Sequence, residues 1–145
     1  MKNRGRVNID TADYLYDNTQ IFINCINKCN NDDVNHIIIG RWYYGVFLLA
    51  KDYLISNGYS QHCNKNFRGK PCKIKNCNLE CLTHKGKNNS IWLTLVNYAN
   101  KNKSLATNGK QLAQLRENYE YSGRICDKNA LNKAKNYFNK ILKDL

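Results

Sequence analysis

Three groups of side chains in this sequence are of types that carry chemistry. The first lies between Gln61 and Lys87, where Cys63, Cys72, Cys77 and Cys81 follow one another with spacing Cys-x8-Cys-x4-Cys-x3-Cys, flanked by His62 and His84. Four thiolates, or three and an imidazole, suffice for a tetrahedral structural zinc site. No Cys-x-x-Cys knuckle is present, so free thiols in a reducing compartment and disulfides remain alternatives. Seven cysteines cannot all pair within one chain. The second is Arg41, set inside the most apolar stretch of the chain on the helical face shared with Ile37, Tyr44 and Leu48. An unpaired buried charge costs several kcal/mol, so Arg41 is expected to reach a carboxylate, a carbonyl array or a cleft that admits water or phosphate, or else to snorkel to the surface. The third is the run from Gln114 to Tyr121, where Arg116 and Glu120 stand at ion-pairing distance along a helix and Asn118 and Tyr121 share a face.

Other catalytic signatures are missing. The sequence has no phosphate-cradling glycine loop, no Gly-x-Ser-x-Gly elbow and no His-Glu-x-x-His pair. Its 11 acidic residues are scattered without a carboxylate cluster of the kind a two-metal nuclease uses. Any nuclease activity is therefore expected to need no metal.

Charge points to an anionic partner. Against the 11 acidic residues stand 23 Lys and Arg, a formal net charge of +12, which favours RNA, DNA, an acidic membrane or an acidic protein. Half of that excess sits in the cysteine segment, where Lys65, Arg68, Lys70, Lys73, Lys75, Lys85 and Lys87 face Glu80 alone. Contacts from such a segment to RNA phosphates would be salt-sensitive and weakly sequence-selective. Phe67 is its only aromatic residue, so base stacking is not expected there.

The elements that must position these groups read as helices. The 145 residues, 42% hydrophobic and 23% charged, fit one globular domain over 1–145, with 61–87 as a basic Cys/His-rich insert. Apolar periodicity predicts helices from about 11 to 29, capped by Asp10 or Thr11, and from Asp32 or Asp33 to about Ile55. A third is expected over 90–101, a short fourth between the Asn108-Gly109 turn signal and Gly123, and a fifth capped by Asp127. Cys25 and Cys29 are expected as small core residues of the first helix. The fold class is all-α, an antiparallel bundle of about five helices with the insert between the second and third. No run approaches the length of a bilayer span, and the opening residues lead into Asp10 and Asp13 rather than an apolar signal core. A cytoplasmic protein without a membrane segment is expected.

The stretch Arg41-Trp42-Tyr43-Tyr44-Gly45-Val46-Phe47-Leu48-Leu49-Ala50-Lys51-Asp52-Tyr53-Leu54 resembles the Ser-Arg-x-Tyr-Tyr-Ala-x-Phe-x-x-Ala-x-x-x-Leu signature of HEPN-domain proteins. Arg116-Glu117-Asn118-Tyr119-Glu120-Tyr121 is similar to their Arg-x-x-Ala-Asp-Tyr element, and Thr83-His84-Lys85-Gly86 to the Lys-x-His-Ser-Gly segment before their third helix. The two longer matches fall in family order, and the resemblance extends over nearly the whole chain outside Gln61 to Leu82. It implies a helical bundle that dimerises and acts in toxin–antitoxin, phage-defence or CRISPR-linked systems, with many members metal-independent ribonucleases. Their Arg-x(4–6)-His motif places a histidine that assists attack of the RNA 2′-hydroxyl on its phosphate. Here the position after four intervening residues is Tyr121, and no histidine follows.

The expectation drawn from these readings is a HEPN-like RNA-binding homodimer that acts as a metal-independent endoribonuclease. Arg116 and Arg41 would clamp the phosphate and its transition state, and Tyr121 or His84 would handle protons. A phenol is a poor general base near neutral pH, so Tyr121 is expected to donate a hydrogen bond. No catalytic cofactor is implied; zinc in the insert would be structural. The alternative is a catalytically degenerate subunit that binds or regulates a nucleotidyltransferase or defence complex. A zinc-stabilised DNA-binding repressor is a third class, which lacks a helix-turn-helix signature.

Overall fold

The computed structural model describes residues 2–26, 29–58, 90–122 and 124–145, without the side chain of Tyr98. These residues form six α-helices and no strand: α1 (Lys2–Asp17), α2 (Thr19–Cys25), α3 (Asn31–Ser56), α4 (Ile91–Ala99), α5 (Lys103–Glu120) and α6 (Lys128–Asp144). The basic insert, with Cys63, Cys72, Cys77, Cys81, His84 and the lysines and arginine proposed to meet RNA, lies outside the described residues.

The 26-residue α3 is the hub, packed against every other helix. It is apolar around most of its circumference because it is surrounded. Val34, Ile38, Ile39, Trp42, Tyr43, Val46, Ala50 and Leu54 are buried on it, and each large aliphatic side chain removed from water contributes about 1.5–3 kcal/mol. Trp42 stacks on Phe138 of α6 with ring centroids 5.2 Å apart, and its indole N–H donates to Asp13 of α1 at 2.8 Å. α1 crosses α3 closely where Gly5 meets Gly45. A Cβ on Gly45 would stand 2.5 Å from Ile9, so only glycine permits the approach.

Caps and packing explain where the helices differ from the sequence reading. α1 starts at Lys2 rather than near residue 11, and the first segment divides at Asn18 into α1 and α2. α3 begins at Asn31, just before the expected start at Asp32 or Asp33, and is capped by Asn30. Asn30 accepts from the Asp33 N–H and Asp33 accepts from the Asn30 N–H, each at 3.0 Å, which makes a capping box. The fourth expected helix is not short. α5 runs 18 residues straight through Asn108 and Gly109, because Gly109 is where Trp92 presses on the helix and a Cβ would fall 2.2 Å from the indole ring. Tertiary packing here overrides the turn preference of the dipeptide. Asp127 caps α6 as expected, accepting from the Ala130 N–H at 2.8 Å.

The cysteines are also redistributed. Cys25 is exposed at the end of α2 and is not a core residue, while Cys29, half-buried beyond it, packs against the edge of the core. Among the described cysteines Cys126 is the buried one, next to the α6 cap.

Candidate functional site

Arg41 does not sit in the core. The α3 face that carries it turns outward, and the guanidinium is exposed, donating from Nη1 to Asn8 Oδ1 at 3.0 Å. The close crossing of α1 and α3 is what brings Asn8 within reach. That partner is neutral, so the positive charge of Arg41 is left uncompensated by it.

Arg116 is the opposite case. It is 7% exposed, and its Nε pairs with the Glu120 carboxylate one turn further along α5. Nη2 donates to the hydroxyls of Tyr44 at 3.2 Å and Tyr121 at 2.5 Å. The guanidinium carbon lies 4.4 Å from the Tyr44 ring centroid, 5.3 Å from that of Tyr121 and 5.4 Å from that of Tyr43, within cation–π range of three rings. Burial by itself would make this cation easier to deprotonate. The hydrogen bond and charge of Glu120, with Tyr44 and Tyr121, more than offset that and hold the group above the ordinary arginine range. Burial also raises the Tyr43 hydroxyl above the usual phenol range, against the opposing pull of Trp92 and Arg116.

Arg41 lines a cleft, and Arg116 holds two of the residues that wall it, Tyr44 and Glu120. His36, Ile37, Gly40, Arg41 and Tyr44 of α3, with Glu120 from the last turn of α5, line a solvent-reached space of about 350 Å³. Tyr44 links the two, lining the cleft while its ring lies against Arg116. Tyr121, the C-cap of α5, is 68% exposed beside Arg116. Of the expected catalytic residues, the structure gathers Arg41, Arg116 and Tyr121 at this corner, while His84 is outside the described residues.

His36 is the cleft residue that sequence reasoning missed. It stands four residues before Gly40 and eight before Tyr44, on the same helical face. That spacing was the available signal, hidden by the apolar run that follows. Histidine is the side chain suited to give or take a proton near neutral pH, and a carboxylate faces it across the same opening.

Two other clefts have different chemistry. One of about 410 Å³ between α5 and α6 holds Ser104, Thr107, Asn108, Lys140, Lys143 and Asp144, with Ser104 already donating to Asp144 at 3.0 Å. One of about 510 Å³ near the starts of α3 and α6 includes Asp127, already used as a cap. Neither contains a histidine. Among the described residues, no three His, Cys, Asp or Glu side chains come together as metal ligands would, and no helix is long and apolar enough to cross a membrane.

No protein-family model, curated protein or solved structure matches this chain.

Proposed function

We propose that the cleft between α3 and the end of α5 binds the phosphodiester backbone of single-stranded RNA and cleaves it without a metal ion. The observation that carries this reading is the convergence of His36, Arg41, Tyr44 and Glu120 on one open space, with an uncompensated guanidinium among them. The HEPN-like sequence stretches on α3 and α5 support the same reading, as does the net charge of +12.

In the proposed reaction Arg41 holds the scissile phosphate and stabilises the charge that builds on its oxygens. The Glu120 carboxylate takes the proton of the 2′-hydroxyl as the 2′-oxygen bonds to phosphorus. Protonated His36 gives its proton to the departing 5′-oxygen as the phosphorus–oxygen bond breaks, leaving a 2′,3′-cyclic phosphate. Arg116 is a positioning residue in this scheme, fixing Glu120 and the Tyr44 ring rather than touching the substrate.

The test is cleavage of labelled single-stranded RNA in EDTA by the wild type, Arg41→Ala and His36→Ala. Each substitution is expected to lower turnover by about 100-fold, the size of one lost proton-transfer or charge-stabilising group. Equal cleavage by all three proteins would remove the assignment.

One observation favours a second reading, in which the chain is a catalytically degenerate binding or regulatory subunit. Arg116 already commits Nε and Nη2 to Glu120 and two tyrosine hydroxyls, as a structural arginine would. RNA binding or a stable heterocomplex without turnover, in the same assay, would select it.

A further inference from the structure

The start of α5 and the end of α6 lie side by side, because α6 returns antiparallel to α5. Ser104, in the first turn of α5, donates to Asp144, in the last turn of α6, at 3.0 Å. Between them runs the groove of about 410 Å³. Thr107 and Asn108 follow Ser104 by three and four residues on the face of α5 that borders it, and Lys143 and Asp144 follow Lys140 in the same way on α6. Two further lysines stand beside it. Lys101 Nζ donates to the main-chain carbonyls of Asp144 and Leu145 at 3.2 and 2.9 Å, and Lys103 opens α5.

Packing alone does not account for Asn108. It is 9% exposed, on the same helix as the buried Leu105, Ala106, Leu112 and Ala113, yet its amide has no hydrogen-bond partner among the described residues. A buried amide in that state calls for a partner from outside the fold, a water or a bound ligand. Asparagine is also a weak helix former, so helix propensity does not explain it in the body of α5. The little surface that Asn108 keeps opens on the groove it lines. There the amide joins Lys140 and Lys143, which have no ion pair among the described residues.

We propose that this groove binds a terminal phosphate group, with Lys140 and Lys143 as its countercharge and Asn108 Nδ2 as its buried hydrogen-bond donor. A phosphate monoester carries about −1.5 to −2 charges near neutral pH and three strong acceptor oxygens. Three donor groups without partners, from two helices, match those three oxygens. A carboxylate, or a phosphodiester within a strand, offers only two oxygens free of ester bonds. Asp144 is the opposing charge on the groove, and its carboxylate already accepts from Ser104. The same phosphate group is found on a mononucleotide and at the 5′ end of an RNA strand. Asn108 and Glu120 are twelve residues apart on α5, about 18 Å along its axis, so the groove is separate from the α3–α5 cleft. This inference does not rest on the RNA reading of that cleft.

Calorimetric titration of the full chain tests it, with adenosine 5′-monophosphate, adenosine, and a short 5′-phosphorylated RNA beside its dephosphorylated form. The monophosphate should bind and shift the Asn108 side-chain amide signals in nuclear magnetic resonance, and adenosine should do neither. Equal affinity for the monophosphate and the phosphorylated RNA identifies the mononucleotide as the source. Tighter binding of the RNA, lost on dephosphorylation, identifies the end of a strand. Asn108→Leu should weaken binding of the monophosphate by about tenfold, the size of one hydrogen bond to a charged group. It should leave the melting temperature of the free protein unchanged or raised, since an unpaired amide gives way to an apolar side chain of similar size. That readout separates a ligand contact from a structural role. Lys140→Gln combined with Lys143→Gln should weaken binding by about tenfold or more, and Asp144→Asn should tighten it. The double lysine variant should cleave RNA without a terminal phosphate as the wild type does, so a failed groove and a failed cleft are told apart. Adenosine binding as tightly as its monophosphate overturns the proposal, as does monophosphate binding unchanged in Asn108→Leu or in the double lysine variant.

Discussion

Arg41 lines the cleft, Arg116 stands behind its Tyr44 and Glu120 walls, and the two differ in almost every respect. Arg116 is enclosed, with Glu120 at its Nε, two tyrosine hydroxyls at Nη2 and three aromatic rings around it. Arg41 is exposed, touches one neutral side chain and keeps its charge available. The contrast shows that an arginine's place in a sequence pattern does not fix its task. Arg41, in the most apolar helix, was expected to reach a carboxylate, a carbonyl array or a cleft open to solvent, and it lines such a cleft; Arg116, whose burial the spacing did not require, is the enclosed one. The open arginine is the one suited to bind an external anion, while the enclosed one orders the side chains around it.

The most direct way to break this comparison is to remove each guanidinium in turn. Arg116→Ala would leave a cavity between three rings and strip Glu120 and two hydroxyls of their donor. A loss of about 2 kcal/mol in urea-denaturation stability is expected, below the full cost of a buried pair because Glu120 is 34% exposed. Arg41→Ala should change stability by less than about 0.5 kcal/mol, as a surface substitution does. Equal losses from the two variants would show that both arginines are structural.

Two glycines sharpen the same contrast between closed and open sides. Gly109 lies against Trp92, so Gly109→Ala overpacks the α4–α5 contact and should cost about 1–3 kcal/mol. Gly40 lines the cleft, and a Cβ there would meet nothing within 4 Å. In mid-helix, Gly40→Ala should therefore stabilise the fold by up to about 1 kcal/mol. Its methyl group would also narrow the opening beside Arg41, so RNA affinity should fall while the melting temperature rises. If both move together, the cleft is not where RNA binds.

These positions also show what could be read in the sequence. The all-helical class and the α6 cap at Asp127 were legible, because local periodicity and a short polar side chain before an apolar stripe report directly on the backbone. Residues 114 to 121 already held the Arg116–Glu120 pair, since a four-residue spacing needs no tertiary information. Three features were not legible. Asn108-Gly109 has the chemistry of a turn, and only the distant Trp92 makes it helix. Arg41 reads as needing a carboxylate, a carbonyl array or a cleft, and only the crossing of α1 over α3 at Gly5 and Gly45 and the end of α5 show which. His36 acquires meaning only when the end of α5 brings Glu120 opposite it.

The smallest expected effect concerns protons on the closed side of the molecule. The Cys126 thiol is buried at the start of α6, and burial, with the nearby charges of Asp127 and Asp32, pushes it up to about 12. In the unfolded chain a thiol titrates at about 8.5. Between those values the folded protein keeps a proton that the unfolded chain releases, so stability must fall as pH rises. The contribution is complete below the unfolded value and is lost as pH climbs through the folded one. Tyr43 acts in the same direction, starting from the higher ordinary phenol range. Replacing Cys126 by serine removes one titrating group while keeping a small polar side chain. The stability gap between wild type and Cys126→Ser, measured by chemical denaturation, should narrow by about 1 kcal/mol between neutral pH and a pH of about 9. A gap that stays constant or widens would mean that this thiol ionises in the folded protein as it does in the open chain. The buried side would then be less well sealed from water than the contrast between the two arginines requires.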